Sequence, residues 1–351
     1  MHRFASLAAI SLLGFSAPVV TAEAASFDCA KASTPFEKAI CGDDDLSAAD
    51  ERLARTYAFA IGGISESALA TMRTGQREWL AFAQRACTRD ATPLTAGSYD
   101  DQGIRCLTDL FDSRSRVLEQ SRLINGIRFY PLTFYSAVVD EDEKDNPDSS
   151  WPVGQHELAI VQIDGDQAFA AALNELARKQ GEEMSGIFAA QGGAEQIQTE
   201  GGADSSVILK VDSMPGPGRI TLIANTYWYG HGAAHGNYSI DYHHFLVDEE
   251  RWLEASDIFD GKGWQKALLD MVVEASREEH GDDLMLDDPT YIADSIIDPT
   301  RWDLSSPYDL IFQFQPYEIA AYAYGAPTTR INWRNLEKFL TDQAYSIRSG
   351  Y

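Results

Sequence analysis

Cysteine placement is the feature that most limits how this 351-residue chain can fold. All four cysteines, Cys29, Cys41, Cys87 and Cys106, fall within the first third of the sequence. No C-x-x-C spacing is present, which disfavours a zinc site. In an exported chain such cysteines form disulfides, and four of them allow three pairings. We favour the sequential pairing, Cys29–Cys41 and Cys87–Cys106, because each bond then closes a short loop.

Residues 1–24 have the pattern of a secretory signal peptide. Arg3 gives a weakly positive start, residues 4–15 form a short apolar core, and residues 22–24 (AEA) form an A-x-A cleavage pattern. No later stretch reaches about eighteen apolar residues, the length that a membrane span needs. We therefore expect a periplasmic or secreted protein that has no membrane span after cleavage of the leader.

Helix signals fill the segment from residue 25 to residue 122. Residues 34–37 (TPFE) form a capping box with proline at the first helical position. Asp45 is predicted to cap a second helix, and a third is predicted to open at Ser65 or Ser67. A fourth amphipathic pattern follows before the segment ends. Residues 25–122 are therefore predicted to form a disulfide-stapled helical bundle.

A set of positions spread along this segment carries a family pattern. They are Cys29, Glu37, Ile40, Cys41, Leu46, Asp50, Leu53, Tyr57, residues 76–80, Arg85, Cys87, Cys106, Leu107, Arg114 and Leu118. In this order they resemble the N-terminal domain of the LprI-type lysozyme inhibitors. The resemblance implies a lysozyme-binding function. Trp79, Leu80 and Tyr57 are expected to lie in the core, and Arg85 or Arg114 is expected to pair with a carboxylate.

Beyond the helical segment the sequence changes to strand-like runs. Ile127–Val139 is predicted as a strand, and residues 206–211 are predicted to pair with residues 220–229 as a hairpin. Helical patterns interrupt these runs without regular βαβ alternation, which is typical of an α+β fold with a largely antiparallel sheet. We therefore predict a mixed α+β domain over residues 123–351, with a sub-boundary near residue 226.

A glycine-rich and aromatic stretch, residues 227–238, lies between two of the predicted strands. Three glycines within seven residues indicate positive φ or a close backbone approach, so a long, bulged connection is expected. The spacing G-x-G-x-x-x-G is one residue off a dinucleotide-binding fingerprint, and the strand–turn–helix context of that fingerprint is missing. We therefore exclude a dinucleotide site here.

Two motifs in the C-terminal half form a second family pattern. Residues 229–236 (YGHGAAHG) are followed about eighty residues later by residues 314–325 (FQPYEIAAYAYG). They resemble the extracytoplasmic domain shared by the lysozyme-sensing anti-sigma factor RsiV and the polysaccharide deacetylase PdaC. The resemblance covers about the last 125 residues. It implies a second link to lysozyme and a structural hydrogen-bonding role for His235.

Four histidines, His231, His235, His243 and His244, form the cluster that could hold a metal, with Asp241 as a further ligand. Successive strand residues point to opposite faces, which argues against His243 and His244 sharing one site. The sequence has no nucleophile elbow, Walker loop or reactive cysteine. We therefore expect a protein that is not an enzyme and that uses no metal or cofactor. A metallohydrolase acting at this cluster is the least favoured alternative.

Charge composition favours a basic partner. The chain carries 28 Lys and Arg against 54 Asp and Glu, a formal net charge of −26. Such a surface repels nucleic acid and anionic lipid and attracts a basic protein over long range. Together with the two resemblances, this predicts that the protein binds, and inhibits, a lysozyme or another basic muramidase.

The predicted contact regions are an acidic run in the helical segment and the exposed parts of the glycine-rich stretch. Their residues are Asp43, Asp44, Asp45, Tyr229, His231, His235 and Tyr238. The alternative is a peptidoglycan-binding or envelope scaffold protein. In that case Trp228, Tyr229 and Tyr238 are the predicted stacking platforms for sugar rings.

Overall fold

The computed structural model describes residues 25–146, 148–150, 152–186, 188 and 200–351. The predicted signal peptide, residues 1–24, lies outside the described residues. Within the described ranges, no helix combines the length and the apolar character that crossing a bilayer requires. The chain forms a helical unit first and a mixed α+β region after it, which confirms the predicted fold class.

Four helices build the N-terminal unit: α1 Pro35–Gly42, α2 Asp44–Ala60, α3 Glu66–Ala86 and α4 Asp101–Leu118. The two disulfides have the predicted pairing, Cys29–Cys41 and Cys87–Cys106. The first joins the 3-10 turn Cys29–Lys31 to the end of α1, and the second joins the end of α3 to α4. Trp79 lies in the core as predicted and packs edge to face on Phe111, with ring centroids 4.9 Å apart. The prediction for Leu80 is wrong, because its side chain is 37% exposed on the outer face of α3. The unit is therefore the predicted disulfide-stapled bundle.

Side-chain caps define where these helices begin. Thr34 and Glu37 form the predicted capping box at α1, and Ser65 caps α3 as one of the two predicted serines. The predicted cap of α2 is wrong. The Asp43 side chain, rather than that of Asp45, accepts the hydrogen bond from the amide three residues on, at 2.9 Å. Asp45 lies instead in the first turn, where a negative charge is favourable to the helix dipole.

A seven-stranded sheet follows, with its strands in sequence order: β1 Arg122–Ile124, β2 Ile127–Val139, β3 Val153–Ile163, β4 Ala203–Gly216, β5 Arg219–Gly230, β6 Asn237–Leu246 and β7 Arg251–Trp252. Each strand pairs antiparallel with the next, except that β3 and β4 are parallel. Helix α5, Ala170–Ser185, connects the parallel pair, since parallel neighbours need a crossover. The predicted bounds of β2 and the predicted β4–β5 hairpin are both confirmed.

The two faces of the sheet are covered by different helices. On one face α5 packs Leu173 into a core that contains Leu158 of β3. On the other face Phe82 of α3 stacks on Tyr135 of β2, with ring centroids 5.3 Å apart. Gly75 permits this approach, because a Cβ there would lie 2.8 Å from a side-chain oxygen of β2. The helical unit and the sheet therefore pack directly against each other.

Arg114 of α4 makes the main polar contact between the helical unit and the sheet. It is 1% exposed, and its Nη1 donates to the hydroxyls of Tyr135 at 2.8 Å and Thr133 at 3.3 Å. Its Nε donates to the Gln76 side chain at 3.1 Å. These partners are neutral, in contrast to the predicted carboxylate. The Arg85 Nε likewise donates to a backbone carbonyl of its own helix.

The C-terminal region adds short helices and a second sheet: α6 Ala255–Ile258, α7 Trp264–His280, α8 Ala293–Ile297, β8 Trp302–Asp303, β9 Asp309–Gln313, β10 Thr328–Asn332, α9 Trp333–Leu336 and α10 Ala344–Ser349. Strand β9 lies between β8 and β10, and all pairings are antiparallel. A buried hydrogen bond connects this region to β6, in which the His244 Nε2 lies 2.7 Å from the Trp302 carbonyl oxygen. The Asn332 side chain caps α9 by accepting a hydrogen bond from the Arg334 amide, and this helix lasts only 4 residues.

Replacing Cys87 and Cys106 by serine is expected to lower the free energy of unfolding by about 3 kcal/mol. The disulfide spans 19 residues, and without it the unfolded chain regains that loop's freedom. The Cys29–Cys41 bond spans 12 residues, and its loss is expected to cost nearly as much. Urea unfolding followed by circular dichroism measures both losses. An unchanged unfolding midpoint in either double variant would show that the disulfide it lacks does not stabilise the fold.

Candidate functional site

The glycine-rich stretch is the connection between β5 and β6. The ladder of these two strands has no register shift, so the predicted bulge is absent from this pair. Residues 231–236 form the connection, in which Gly232 has a φ of 78°. Gly236 is needed for a close approach, because a Cβ there would lie 2.5 Å from the Tyr227 hydroxyl oxygen. The predicted positive φ is therefore found at Gly232, and the predicted close approach is found at Gly236.

Five aromatic side chains form one surface beside this connection, which we call the aromatic patch. They are Tyr227, His235, Tyr238, Tyr317 and Tyr322. His235 stacks on Tyr322 with ring centroids 3.9 Å apart, and its Nε2 lies 3.1 Å from the Tyr317 hydroxyl. Tyr238 meets Tyr322 edge-on at 6.3 Å. The patch therefore joins the two motifs, which lie about eighty residues apart in the sequence.

Tyr317 is an exposed member of the patch that is held in a strained backbone conformation. It is 60% exposed and has a φ of 69°, a region that costs a non-glycine residue about 1 kcal/mol or more. Its turn is fixed by Gln315, whose side chain exchanges two hydrogen bonds with the backbone of Ile240, at 2.8 and 2.9 Å. Glu318 accepts from the Gln315 amide at 2.7 Å and pairs with Arg301. Strain that is held in place by such contacts is typical of functional surfaces.

A cleft between the helical unit and the sheet adjoins the patch. Its narrow part, of about 160 Å³, is lined by Phe82 and Leu110 from the helices and by Glu157, Ser206 and Tyr227 from the strands. A wider part, of about 390 Å³, lies beside the Cys87–Cys106 disulfide and shares Asp204 with the narrow part. Because Tyr227 belongs to both patch and cleft, they form one continuous surface.

Glu157 lines the narrow part of the cleft. The strand register places it between Tyr135 and Ser206, and its Oε2 accepts a hydrogen bond from Ser113 at 3.3 Å. Its Oε1 is buried without a partner. Burial raises the pKa of the Glu157 carboxyl group, although the nearby Arg114 opposes this shift. Glu157 is not among the predicted site residues, although a carboxylate directly before the apolar run 158–161 is a signal that could have found it.

His231 is buried between two carboxylates. Its side chain is 4% exposed, with Nδ1 2.8 Å from Asp140 and Nε2 3.4 Å from Asp204. Burial acts to lower the pKa of His231, but the hydrogen bonds to Asp204 and Asp140 outweigh it and raise the pKa above its usual value. The His231 amide also donates to the Gly202 carbonyl at 2.9 Å. This predicted contact residue therefore ties three segments together and offers little surface to a partner.

His243 and His244 do not gather around His231. They contact different elements on either side of β6: His243 lies against Trp252, and the His244 Nδ1 lies 2.9 Å from the Thr221 hydroxyl. Burial lowers the pKa of His243 to about 4 and holds the pKa of His244 well below its usual value. In the part of the chain that the structure describes, no group of three or more His, Cys, Asp or Glu residues is placed to hold a metal ion.

The remaining predicted contact residues divide between structural and exposed positions. Asp43 is used as the cap of α2, whereas Asp44 and Asp45 are exposed in its first turn. The hydroxyl of Tyr229, which is half-buried, donates to the Ala233 carbonyl at 3.2 Å and so braces the β5–β6 connection. The exposed members of the predicted set are therefore two aspartates and His235.

Two family models match separate parts of the chain. The model described as "Lysozyme inhibitor LprI" matches residues 29–118, and the model described as "Protein of unknown function (DUF3298)" matches residues 256–334. The first match confirms the resemblance of the helical unit to LprI-type inhibitors. The second contains the motif at residues 314–325 and begins after the glycine-rich stretch.

Individual proteins are similar to parts of the chain at low identity. An uncharacterized protein of Rhizobium meliloti (strain 1021) is 25% identical over 130 residues, which are 33% of this chain and 94% of that protein. A solved DUF3298 structure from Bacteroides fragilis NCTC 9343 is 14% identical with a TM-score of 0.45, and covers 66% of this chain and 100% of that one. Another from Pseudomonas aeruginosa PAO1 has the same identity and TM-score, and covers 62% and 96%.

Replacing His231 by asparagine is expected to destabilise the fold most at low pH. Because the pKa of His231 is raised in the folded state, its stabilising contribution is complete below its unfolded pKa of about 6.5 and is lost as the pH rises through the folded pKa. The difference in unfolding free energy between the wild type and His231→Asn should therefore shrink as the pH rises above about 6.5. Urea unfolding at several pH values measures it.

His243→Asn is the matched control, for which the stability difference is expected to change with pH in the opposite direction. Burial lowers the pKa of His243 to about 4, so the unfolded state takes up a proton first as the pH falls below about 6.5. The difference between the wild type and this variant should therefore shrink towards acidic pH. The same pH trend in both variants would contradict the assigned surroundings of His231.

Proposed function

We propose that this protein is exported and that it binds and inhibits a lysozyme or another basic muramidase. The observation that carries the proposal is the match of the LprI lysozyme inhibitor model to residues 29–118, which span all four helices and both disulfides of the N-terminal unit. Disulfides persist in oxidising compartments outside the cytoplasm, which agrees with export. In this proposal the chain acts by occupying its partner, and it breaks no bond itself.

The charge distribution supports a basic partner. Residues 29–118 carry 11 Lys and Arg against 13 Asp and Glu, whereas residues 119–351 carry 16 against 39. The negative charge therefore belongs almost wholly to the C-terminal part. Because lysozymes of the common type are basic, this part would accelerate the encounter by long-range attraction. The nearly neutral helical unit would then contribute contacts at short range.

The cleft and the aromatic patch together form the surface that fits this contact best. Tyrosine is enriched among the residues that dominate binding energies, and Tyr227 and Tyr317 are exposed here. The cleft offers the partly exposed carboxylate of Asp204 to a lysine or arginine side chain. This surface lies between the helical unit and the C-terminal region, so a partner that docks there would contact both.

Inhibition is tested by turnover of cell-wall substrate. At a micromolar concentration of the mature protein, we expect hydrolysis by at least one of the hen-type, goose-type and phage-type lysozymes to slow. The effect should weaken as salt is added, because salt screens the attraction between the two proteins. Absence of slowing with all three enzymes, together with absence of a complex at low salt, would remove the proposal.

The contact surface is tested in the same complex by Tyr317→Ala. Removing a central tyrosine from an interface costs about 2 kcal/mol, so the complex should weaken about 30-fold, mainly through faster dissociation. Tyr308→Ala is the matched control, because Tyr308 is also an exposed tyrosine but lies outside the patch. Surface plasmon resonance measures both rates. Equal losses in the two variants would exclude the patch as the contact surface.

A second candidate function is binding of peptidoglycan through the aromatic patch. It is favoured by the exposed Tyr317 ring, which lies beside the stacked pair His235–Tyr322 and could pack against the apolar face of a sugar ring. We expect this function, if present, to give co-sedimentation with purified peptidoglycan that survives high salt and is lost in Tyr317→Ala. Co-sedimentation with peptidoglycan that is lost at high salt would instead indicate binding by charge attraction alone.

A further inference from the structure

A second cavity, of about 700 Å³, lies away from the cleft and the patch. It is enclosed by the β4–β5 turn, the segment after β8, and α10. Its lining residues include Met214, Pro215, Leu304, Pro307, Tyr308 and Tyr345, and several serines. Arg219 and Arg348 are the charged residues of its lining, although the chain as a whole has a net charge of −26. The volume is within the range of about 300 to 1,000 Å³ that is usual for small-molecule sites.

Arg219 is a buried cation whose partners are neutral. It is 1% exposed, and its guanidinium donates to the Thr221 hydroxyl at 2.9 Å and to the carbonyls of Leu304 and Arg348 at 3.1 and 3.0 Å. Its Nε is buried without a partner. Burial lowers the pKa of Arg219 to about 10, and Asp303 and Asp212 only partly offset this from a distance.

Arg348 is the second cation of the cavity lining. Its guanidinium carbon lies 4.2 Å from the centroid of Trp333 and 5.8 Å from that of Tyr345. Both its Nε and its Nη1 are buried without a hydrogen-bond partner. Burial lowers the pKa of Arg348 as well. The ring contacts hold the guanidinium plane in place and leave its donors free.

These observations describe a site whose positive charge is unbalanced. Among the arginine ion pairs of the described residues, none involves Arg219 or Arg348. Three guanidinium nitrogens, the Arg219 Nε and the Arg348 Nε and Nη1, are buried without hydrogen-bond partners. Leaving such donors unsatisfied destabilises the fold. An oxyanion would relieve this cost, because guanidinium groups bind carboxylate and phosphate oxygens in pairs.

We propose that this cavity binds a small organic oxyanion, a carboxylate or phosphate that is carried on an apolar or aromatic body. The oxygens would accept from the guanidinium N–H groups of the two arginines in the lining. The body would lie against Met214, Pro307 and the tyrosine rings. This site is independent of the proposed contact with lysozyme, because it shares no lining residue with the cleft or the patch.

The proposal is tested by isothermal titration of the mature protein in phosphate-free buffer with four probes. Phenyl phosphate and benzoate combine an oxyanion with a ring, inorganic phosphate has the oxyanion alone, and benzyl alcohol has the ring alone. We expect one phenyl phosphate or benzoate to bind per chain, with inorganic phosphate at least about tenfold weaker and benzyl alcohol not bound. The tighter of the two aryl probes identifies the oxyanion class.

Variants then locate the site. Arg348→Gln is expected to weaken binding of the tighter aryl probe by about tenfold or more, because it removes a charged donor. Arg348→Lys should recover only part of the affinity, since an ammonium group cannot form the paired contact. Arg330→Gln is the matched control, because Arg330 is exposed on β10 and does not line the cavity. Unchanged thermal unfolding establishes that Arg348→Gln is folded.

Three results would overturn the proposal. The first is absence of saturable binding by both aryl anions at millimolar concentration. The second is equal affinity of the wild type and folded Arg348→Gln. The third is binding of inorganic phosphate as tightly as phenyl phosphate, which would exclude the apolar body.

Discussion

The contact of Arg114 with strand β2 fixes the helical unit on the sheet. A buried cation is costly unless its donors are satisfied, and here the hydroxyls of Tyr135 and Thr133 and the amide oxygen of Gln76 receive them. The Arg114 guanidinium carbon also lies 5.7 Å from the centroid of the Tyr135 ring. Because Tyr135 pairs with Glu157 in the strand register, the same contact sets the wall of the cleft. The shape of the cleft, which we assign to partner binding, therefore depends on the contact between Arg114 and Tyr135.

Long-range attraction and short-range contact depend on different side chains of this molecule. Residues 119–351 hold most of the negative charge, and the contact surface that they share with the helical unit, the cleft and the patch, carries aromatic rings with few carboxylates. Long-range charge raises association rates, and buried aromatic contacts set dissociation rates. The two arginines of the second cavity are an exception to the acidic background. Their positive charge, which no ion pair among the described residues balances, is the basis of the proposed oxyanion site.

Local signals in the sequence predicted the local structure well. The disulfide pairing, the capping box at Thr34 and the bounds of β2 follow from short-range chemistry, and all are confirmed. The cap of α2 was misplaced because three successive aspartates satisfy the same rule. The stacking of His235 on Tyr322 and the meeting of Arg219 with Arg348 could not be predicted. Such contacts join segments that are far apart in the sequence, so local hydrophobic periodicity and motif spacing cannot predict them.

The close packing of Gly75 on the side chains of β2 shows that the helical unit cannot be cut from the sheet without exposing its core. The match to LprI ends at Leu118, yet the core of the helical unit continues into Tyr130, Tyr135 and Ala137 of β2. A helical unit separated from that strand would expose Phe82 to water and leave the Arg114 guanidinium without its hydroxyl partners. The junction is therefore a packed interface, and the cooperative folded unit here extends beyond the residues that sequence similarity marks out.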